Sequence, residues 1–285
     1  VSINSVAFGQ KGYPEQLRHI PDAPKLLYFS GPLAELCKEP CVAIVGSRKV
    51  TPYGRAVTEK LAGELARQGV VIVSGLALGV DSIAHEAALR AHGRTIAVLP
   101  RDIEHIYPVS HTGLAQRILS AGGALISEYP EGSDLHKFQF LERNRIIAGL
   151  SRGVIIPEAA ARSGSLNTAN AALEQGREVM AVPGNITSLL SAGTNNLLRL
   201  GATPITCVDD ILQTLELTLV PVAQLPLIGD NDTQTLLLSL LGKGITDTEL
   251  LLVACKLSPA SFSQTLTMLE IGGRIRHISN SWVLA

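Results

Sequence analysis

Six short apolar runs constrain what this chain can fold into more than any other feature. They are Val42–Val45, Val70–Val73, Thr95–Leu99, Ala124–Ser127, Gly153–Ile156 and Glu178–Val182, each closing on or just before serine, glycine or proline. Stretches of helical character fit between them at 53–67, 81–92, 111–121, 140–150 and 165–176. Strands of four to six residues alternating with helices of about ten predict a doubly wound, mostly parallel α/β sheet. The composition suits that architecture, because 46% of the residues are hydrophobic and only 4% aromatic, giving an aliphatic core of the kind that fills parallel sheet. In such sheets ligands sit beyond the carboxyl ends of the strands, so the residues at those ends become the candidates for function.

The first strand end is the most informative. Val42–Gly54 reads Val-Ala-Ile-Val-Gly-Ser-Arg-Lys-Val-Thr-Pro-Tyr-Gly. Gly46 permits a sharp turn, Thr51 is placed to cap a helix, and Pro52 suits the first helical turn. A strand turning at glycine into a helix aims free backbone N–H groups past the strand end, which favours an anion such as phosphate. Arg48 and Lys49 add fixed positive charge inside that turn. The remaining ends carry Ser74-Gly75 through Asp81, Pro100-Arg101, Glu128-Tyr129-Pro130 and Ser163-Gly164-Ser165. With the Gly46-Ser47-Arg48 turn, three of the five corners are small-residue turns that open helices, and all face one edge of the predicted sheet.

The segment 131–150 brings further charge, with Lys137 beside Phe138 and Phe140, then Arg143, Asn144 and Arg145 near a helix start. Arginine there opposes the helix dipole. Two readings stay open: an anion lies nearby, or Arg143 and Arg145 pair with Glu128, Glu142 or Glu158. Phe138 and Phe140 stand at alternate positions, so only one of them can face a given groove.

With 285 residues, two domains are the natural expectation. Residues 1–41 form an irregular lead-in holding one short apolar strand or turn, packed on a main domain of 42–218 whose last helix spans 211–217. Leu219–Leu227, with two prolines and no period, reads as a linker, placed at 219–228. The stretch 229–285 changes character: helices at 232–241, 247–256 (capped by Thr246) and 259–270, then an alternating hairpin from Arg274–Ser279 and Ser281–Ala285. Three helices and a hairpin predict a winged helix with Pro259–Glu270 as its recognition helix. That helix has no basic residue, whereas helices that read DNA bases normally carry Arg or Lys. The wing offers Arg274, Arg276 and His277, so duplex contact and protein contact are both open for this domain.

The net charge is −1, with 20 basic and 20 acidic residues up to position 220 and 4 and 5 beyond it, so neither part is basic overall. That argues against wholesale basic nucleic-acid binding but leaves room for a local patch. The four cysteines, Cys37, Cys41, Cys207 and Cys255, make no CxxC pair, which fits buried reduced thiols of a cytoplasmic protein. The apolar runs are too short for a membrane span, and no signal-peptide pattern is present. The chain starts with Val1 rather than Met, as a trimmed chain would.

With these residues placed, the chain resembles the DNA-processing protein A family (DprA, also called Smf). The resemblance runs through Tyr13-Pro14, Pro24 with Leu27-Tyr28, the Gly46-Ser47-Arg48, Thr51 and Tyr53-Gly54 turn, and Ser74-Gly75-Leu76-Ala77 with Gly79, Asp81 and Ala84-His85. It continues through Arg143–Ser151, Glu158-Ala159, Ser163-Gly164-Ser165, Thr168-Ala169 and Pro183-Gly184. Membership would imply a Rossmann-like domain that uses no dinucleotide, and a homodimer that binds single-stranded DNA without sequence preference. It would also imply displacement or bypass of single-strand-binding protein and loading of the RecA recombinase during natural transformation. The family's contact arginine falls on Arg48 and its contact lysine on Lys137. Gly46, Ser47, Lys49, Phe140, Arg143, Asn144, Ser163, Gly164 and Ser165 complete the inferred DNA-binding set, while Asp81 and Glu158 hold loops. Many members carry a helical domain ahead of this region, with no counterpart in these residues.

Non-specific strand binding needs cations and N–H groups for phosphates and a few aromatic faces for bases, for which Tyr53, Phe138 and Phe140 are candidates. Two enzyme readings compete with it. A dinucleotide enzyme would need GxGxxG and an acid ending the second strand; the chain has Gly46-x7-Gly54 and Ser74-Gly75 instead. A nucleotide-hydrolysing relative of the lysine-decarboxylase-like phosphoribohydrolases would resemble PGGxGTxxE at Ser163–Ala171, which lacks the catalytic glutamate. No HExxH, Gly-x-Ser-x-Gly or Walker A pattern occurs. The sequence therefore predicts a non-enzymatic binding protein with no cofactor and no metal.

Overall fold

The computed structural model describes residues 2–217, 229–242, 244–278 and 281–284. The expected linker at 219–228 lies outside them, as do Ser279, Asn280 and Ala285 of the expected hairpin. Contacts divide the chain into two compact units, Val1–Val222 and Ala223–Ala285.

The first unit is a nine-stranded sheet between helices. Its parallel body comprises β3 (Cys41–Ile44), β4 (Val71–Ser74), β5 (Thr95–Val98), β6 (Ala124–Ser127), β7 (Gly153–Ile156), β8 (Glu178–Ala181) and β9 (Thr203–Pro204). At one edge β1 (Asn4–Ala7) and β2 (Leu26–Ser30) pair antiparallel with each other, and β2 pairs antiparallel with β6. The lead-in is thus more regular than its sequence suggests, since its apolar residues extend the sheet. Across the sheet the order is β1-β2-β6-β5-β4-β3-β7-β8-β9. The chain moves outward from β3 to β6, then crosses back to place β7 on the other side of β3. The carboxyl ends of β3 and β7 therefore flank the point where the winding reverses, where a crevice must open.

Consecutive residues of each strand serve opposite faces. Val42 and Ile44 of β3, with Ile72, Ile155 and Met180, pack under α2 (Pro52–Arg67), α3 (Val80–Arg90) and α8 (Val208–Thr214). Ala43, Val45, Val71, Val73, Val154 and Ile156 pack on the other face, under α1 (Leu33–Leu36), α5 (Gln139–Leu150), α6 (Ser165–Glu174) and α7 (Ala192–Arg199). The remaining helix, α4 (Thr112–Ser120), covers Ala97, Leu99 and Leu125 with Leu114 and Ile118. Toward its end the unit differs from expectation. The helix expected at 211–217 begins at Val208, because the Asp210 carboxylate accepts the backbone N–H groups of Thr206 and Cys207 and anchors that end. The helix α7, with the short β9 after it, was not foreseen.

The second unit has α9 (Asp232–Gly242), α10 (Thr248–Cys255) and α11 (Pro259–Ile271), followed by the antiparallel pair β10 (Ile275–Ile278) and β11 (Ser281–Leu284). This is a winged helix, closed over Leu237, Leu241, Leu251, Phe262, Leu266 and Leu269. Asp247 rather than Thr246 caps α10, accepting the N–H groups of Glu249 and Leu250. Ser258 caps α11. Among the described residues no helix is long and apolar enough to cross a membrane.

Candidate nucleic-acid interface

The turn after β3 is built to hold its backbone still and its cations free. Ser47 N–H donates to the Glu158 carbonyl at 2.8 Å, and the Ser47 carbonyl accepts from Val80 N–H at 3.1 Å. Gly46 is required by this closeness, because a Cβ there would lie 2.7 Å from both the Glu158 carbonyl and the Val80 side chain. The buried Ser47 hydroxyl donates to the Lys49 carbonyl and accepts from Lys49 N–H at 3.2 Å, so it acts as an internal strut. Thr51 caps α2 by accepting from Gly54 N–H at 3.0 Å, and the Glu158 carboxylate takes both its N–H (2.9 Å) and its hydroxyl (2.5 Å). With the turn pinned from within, Arg48 and Lys49 project outward and exposed.

Helix α5 forms the facing wall. The Arg48 guanidinium lies 5.3 Å from the Phe140 ring centre, and Tyr107 meets the same ring edge-on at 5.5 Å. Lys137, just before the helix, is exposed. Of the alternate phenylalanines only Phe140 faces the cleft; Phe138 stacks on His136 at 5.4 Å. Neither expectation for the two arginines holds in full. Arg145 makes a two-pronged ion pair with Glu128 (2.6 and 2.9 Å) and donates to the Asp22 carbonyl, tying α5 to the lead-in. Arg143 pairs with none of the three glutamates. It is buried and donates to the Gly75 carbonyl at 2.7 Å and to the Val98 carbonyl, bracing the ends of β4 and β5. Burial lowers its pKa to about 10, against the opposing pull of Asp81 and with the help of Arg48. Burial likewise pushes the Asp81 carboxyl up, offset by Arg143 and by backbone N–H groups that include Gly75 at 3.0 Å. No room exists for a Cβ on Gly75, where the Arg143 guanidinium presses.

The third wall is the turn into α6. Ser163 and Ser165 share a hydroxyl hydrogen bond at 2.8 Å, and the Ser165 N–H reaches the Ser163 hydroxyl at 3.3 Å. Asn144 donates to the Gly164 carbonyl at 3.4 Å, joining this wall to α5. The only carboxylate on α6 is Glu174, in its last turn.

Between the three walls lies a cleft of about 720 Å3, set at the reversal point of the sheet. All eleven residues selected from the sequence line it: Gly46, Ser47, Arg48, Lys49, Lys137, Phe140, Arg143, Asn144, Ser163, Gly164 and Ser165. Sequence reasoning missed Tyr107 and Leu190, which come from loops without a pattern of their own. Arg48, Lys49 and Lys137 have no ion-pair partner among the described residues, and Asp81, buried, is the only acid in the lining. Such a cleft presents uncompensated positive charge, backbone and hydroxyl donors, and two aromatic rings. These are groups for binding a polyanion. Among the described residues no cluster of three or more His, Cys, Asp or Glu is placed to hold a metal.

A family model of DNA recombination-mediator protein A matches residues 4–216, and one of the DprA winged helix domain matches residues 221–279. The chain is 43% identical over 213 residues to DNA processing protein DprA of Bacillus subtilis, covering 75% of this chain and 71% of that protein. It is 46% identical over 204 residues to protein Smf of Escherichia coli, covering 72% of this chain but only 54% of Smf, so it spans about half the length of that relative. Among solved structures it is similar to DNA processing protein A from Helicobacter pylori, studied for its single-stranded DNA binding mode. That likeness has a TM-score of 0.67 at 38% identity and covers 75% of this chain and 95% of that one. From its fold, its cleft and these matches, the chain belongs to the DNA recombination-mediator protein A family, the DprA/Smf proteins.

Proposed function

We propose that this protein is a non-enzymatic mediator that binds single-stranded DNA without sequence preference, using the cleft between β3 and β7. The observation that carries this reading is the meeting of Arg48, Lys49 and Lys137, exposed and unpaired among the described residues, around one cleft. Arg48 and Lys137 grip phosphates from opposite walls, Lys49 adds charge, and the Ser163–Ser165 turn supplies neutral donors. Phe140 carries the Arg48 guanidinium. Arg143 contributes field, since two of its donors are committed to carbonyls. The relative from Helicobacter pylori, with its single-stranded DNA binding mode, supports the choice of ligand.

The wider role in this reading is that of a cytoplasmic homodimer that protects incoming DNA, works against single-strand-binding protein, and loads the RecA recombinase in natural transformation; membership of the family supports it. Residues 42–218 form the DNA-binding domain, with 1–41 packed on it. The winged helix of 229–285 makes protein contacts, because α11 exposes no cation. The test is fluorescence anisotropy of a labelled oligo-dT with duplex competitor, followed by RecA filament formation on strand coated with single-strand-binding protein. The reading requires preference for the single strand and faster filament formation. Equal affinity for duplex removes the first part, and no effect on RecA removes the second.

A further inference from the structure

Beside the cationic cleft lies a second recess, of about 530 Å3, that the cleft residues do not account for. Its walls are the start of α2, with Thr51 and Tyr53, and the segment after β8, with Pro183, Gly184 and Ser191. The linings of the two spaces are joined along the chain. Thr51 follows Lys49 by two residues, and Ser191 directly follows Leu190, which lines the first cleft. The chemistry of the recess is unlike that of the cleft, because no Lys or Arg lines it and its one charged group is the Glu158 carboxylate. Both oxygens of that carboxylate are taken by Thr51, and its charge repels phosphate.

Tyr53 gives the recess its shape. The residue is 48% exposed, yet its hydroxyl donates to the Pro183 carbonyl at 2.7 Å and so holds the ring in one orientation. The opposite wall is also fixed, since Asn195 exchanges two hydrogen bonds of 3.1 Å with the backbone of Gly184. A half-exposed aromatic face, immobilised beside a phosphate-binding cleft and lacking cations of its own, suits the uncharged part of a nucleotide. We infer that this recess is a nucleobase subsite, in which a base of the bound strand stacks on the Tyr53 ring. The inference rests on the single-stranded DNA reading above. With the hydroxyl already engaged, the contact is face to face, and stacking of that kind tolerates any base.

The test compares oligo-dT with an abasic oligonucleotide of the same length, on wild type, Tyr53→Ala and Tyr53→Phe. Loss of one stacked base predicts that Tyr53→Ala weakens oligo-dT binding by about 5- to 150-fold. Its binding of the abasic strand stays at the wild-type level, and Tyr53→Phe keeps most of the oligo-dT affinity. A strand carrying 2-aminopurine at successive positions should be quenched at one of them on wild type, a readout that survives if Tyr53→Ala does not fold. The inference is overturned if Tyr53→Ala weakens both strands alike or neither, or if no position is quenched. If Arg48→Ala still weakens binding in that case, the cleft stands and only the subsite falls. If wild type binds neither strand, the single-stranded DNA reading falls and this inference with it.

Discussion

The Glu158 carboxylate holds the N–H of Thr51 at 2.9 Å and its hydroxyl at 2.5 Å, across 107 residues of chain. One buried acid thereby joins the end of β7 to the start of α2, while its own carbonyl takes the Ser47 N–H. Gly54 is part of the arrangement, because a Cβ there would lie 2.6 Å from a Glu158 oxygen. The turn bearing Arg48 and Lys49 is therefore positioned by a residue that carries the opposite charge. Glu158→Ala should cost about 2 kcal/mol, the penalty for leaving a buried donor unpaired. Strand affinity should fall with it while the salt dependence keeps its slope, since no phosphate contact is lost. Urea unfolding and a salt titration check both statements.

Arg143 and Arg48 should separate cleanly by what their removal costs. Arg143→Met strips the Gly75 and Val98 carbonyls of their donor and leaves Asp81 buried without its counter-charge. A loss of about 2–4 kcal/mol is expected, because two buried carbonyls lose their donor. Arg48→Ala touches an exposed side chain, so stability should stay within about 0.5 kcal/mol. Thermal unfolding of the two variants decides this.

Phe140 is the surface on which the Arg48 guanidinium rests. Phe140→Leu should weaken strand binding by about 2- to 5-fold, a loss in the range of an exposed cation–aromatic contact. In the Arg48→Ala background the same change should do little, because the two residues act as a unit. A double-mutant cycle on oligo-dT measures that coupling, and additive losses would show that Phe140 contacts the strand independently.

His85 predicts a pH dependence. Its Nδ1–H donates to the Thr95 hydroxyl at 2.7 Å, which donates onward to the Ile72 carbonyl at 2.6 Å. Burial, with His111 and Arg143 nearby, lowers its pKa to about 3. The folded value lies below the unfolded value near 6.5, so the unfolded chain takes up a proton first as pH falls. This contribution to stability is whole above pH 6.5 and is lost from there down to pH 3. By pH 5 the loss is about 2 kcal/mol. His85→Gln should flatten that limb in urea titrations at pH 7 and pH 5.

Much of the main sheet was legible because each parallel strand is a compact apolar run and each turn carries its own punctuation. The helix at Ala192–Arg199 was not, for its sequence begins Ala-Gly-Thr-Asn-Asn and shows no apolar period. Gly193 is there for tertiary reasons: a Cβ would meet the carbonyls of Ala159 and Ala160 at 2.5–2.7 Å. The strand β1 was hidden for a similar reason, since only its pairing with β2, the short strand expected in the lead-in, places it at the sheet edge.

The candidate site was legible as a set, because all its loops leave the same edge of a doubly wound sheet. What each residue does within it was not. Ser47 reads as a phosphate ligand beside Arg48, yet its hydroxyl serves Lys49. Arg143 reads as a surface cation until its burial between two strand ends is seen. The role of Arg143 was decided by carbonyls 68 and 45 positions away in the chain, which local pattern does not encode, and that of Ser47 by the way the turn folds its hydroxyl back onto Lys49.

The central claim is that phosphates lie between Arg48 and Lys137. It is tested most directly by oligo-dT anisotropy across a salt series on wild type, Arg48→Ala and Lys137→Ala. Each variant should bind more weakly, and its log affinity should fall less steeply with log salt by about 0.7 per lost phosphate contact. Wild-type affinity and slope in both variants would place the strand elsewhere on the protein and contradict the account.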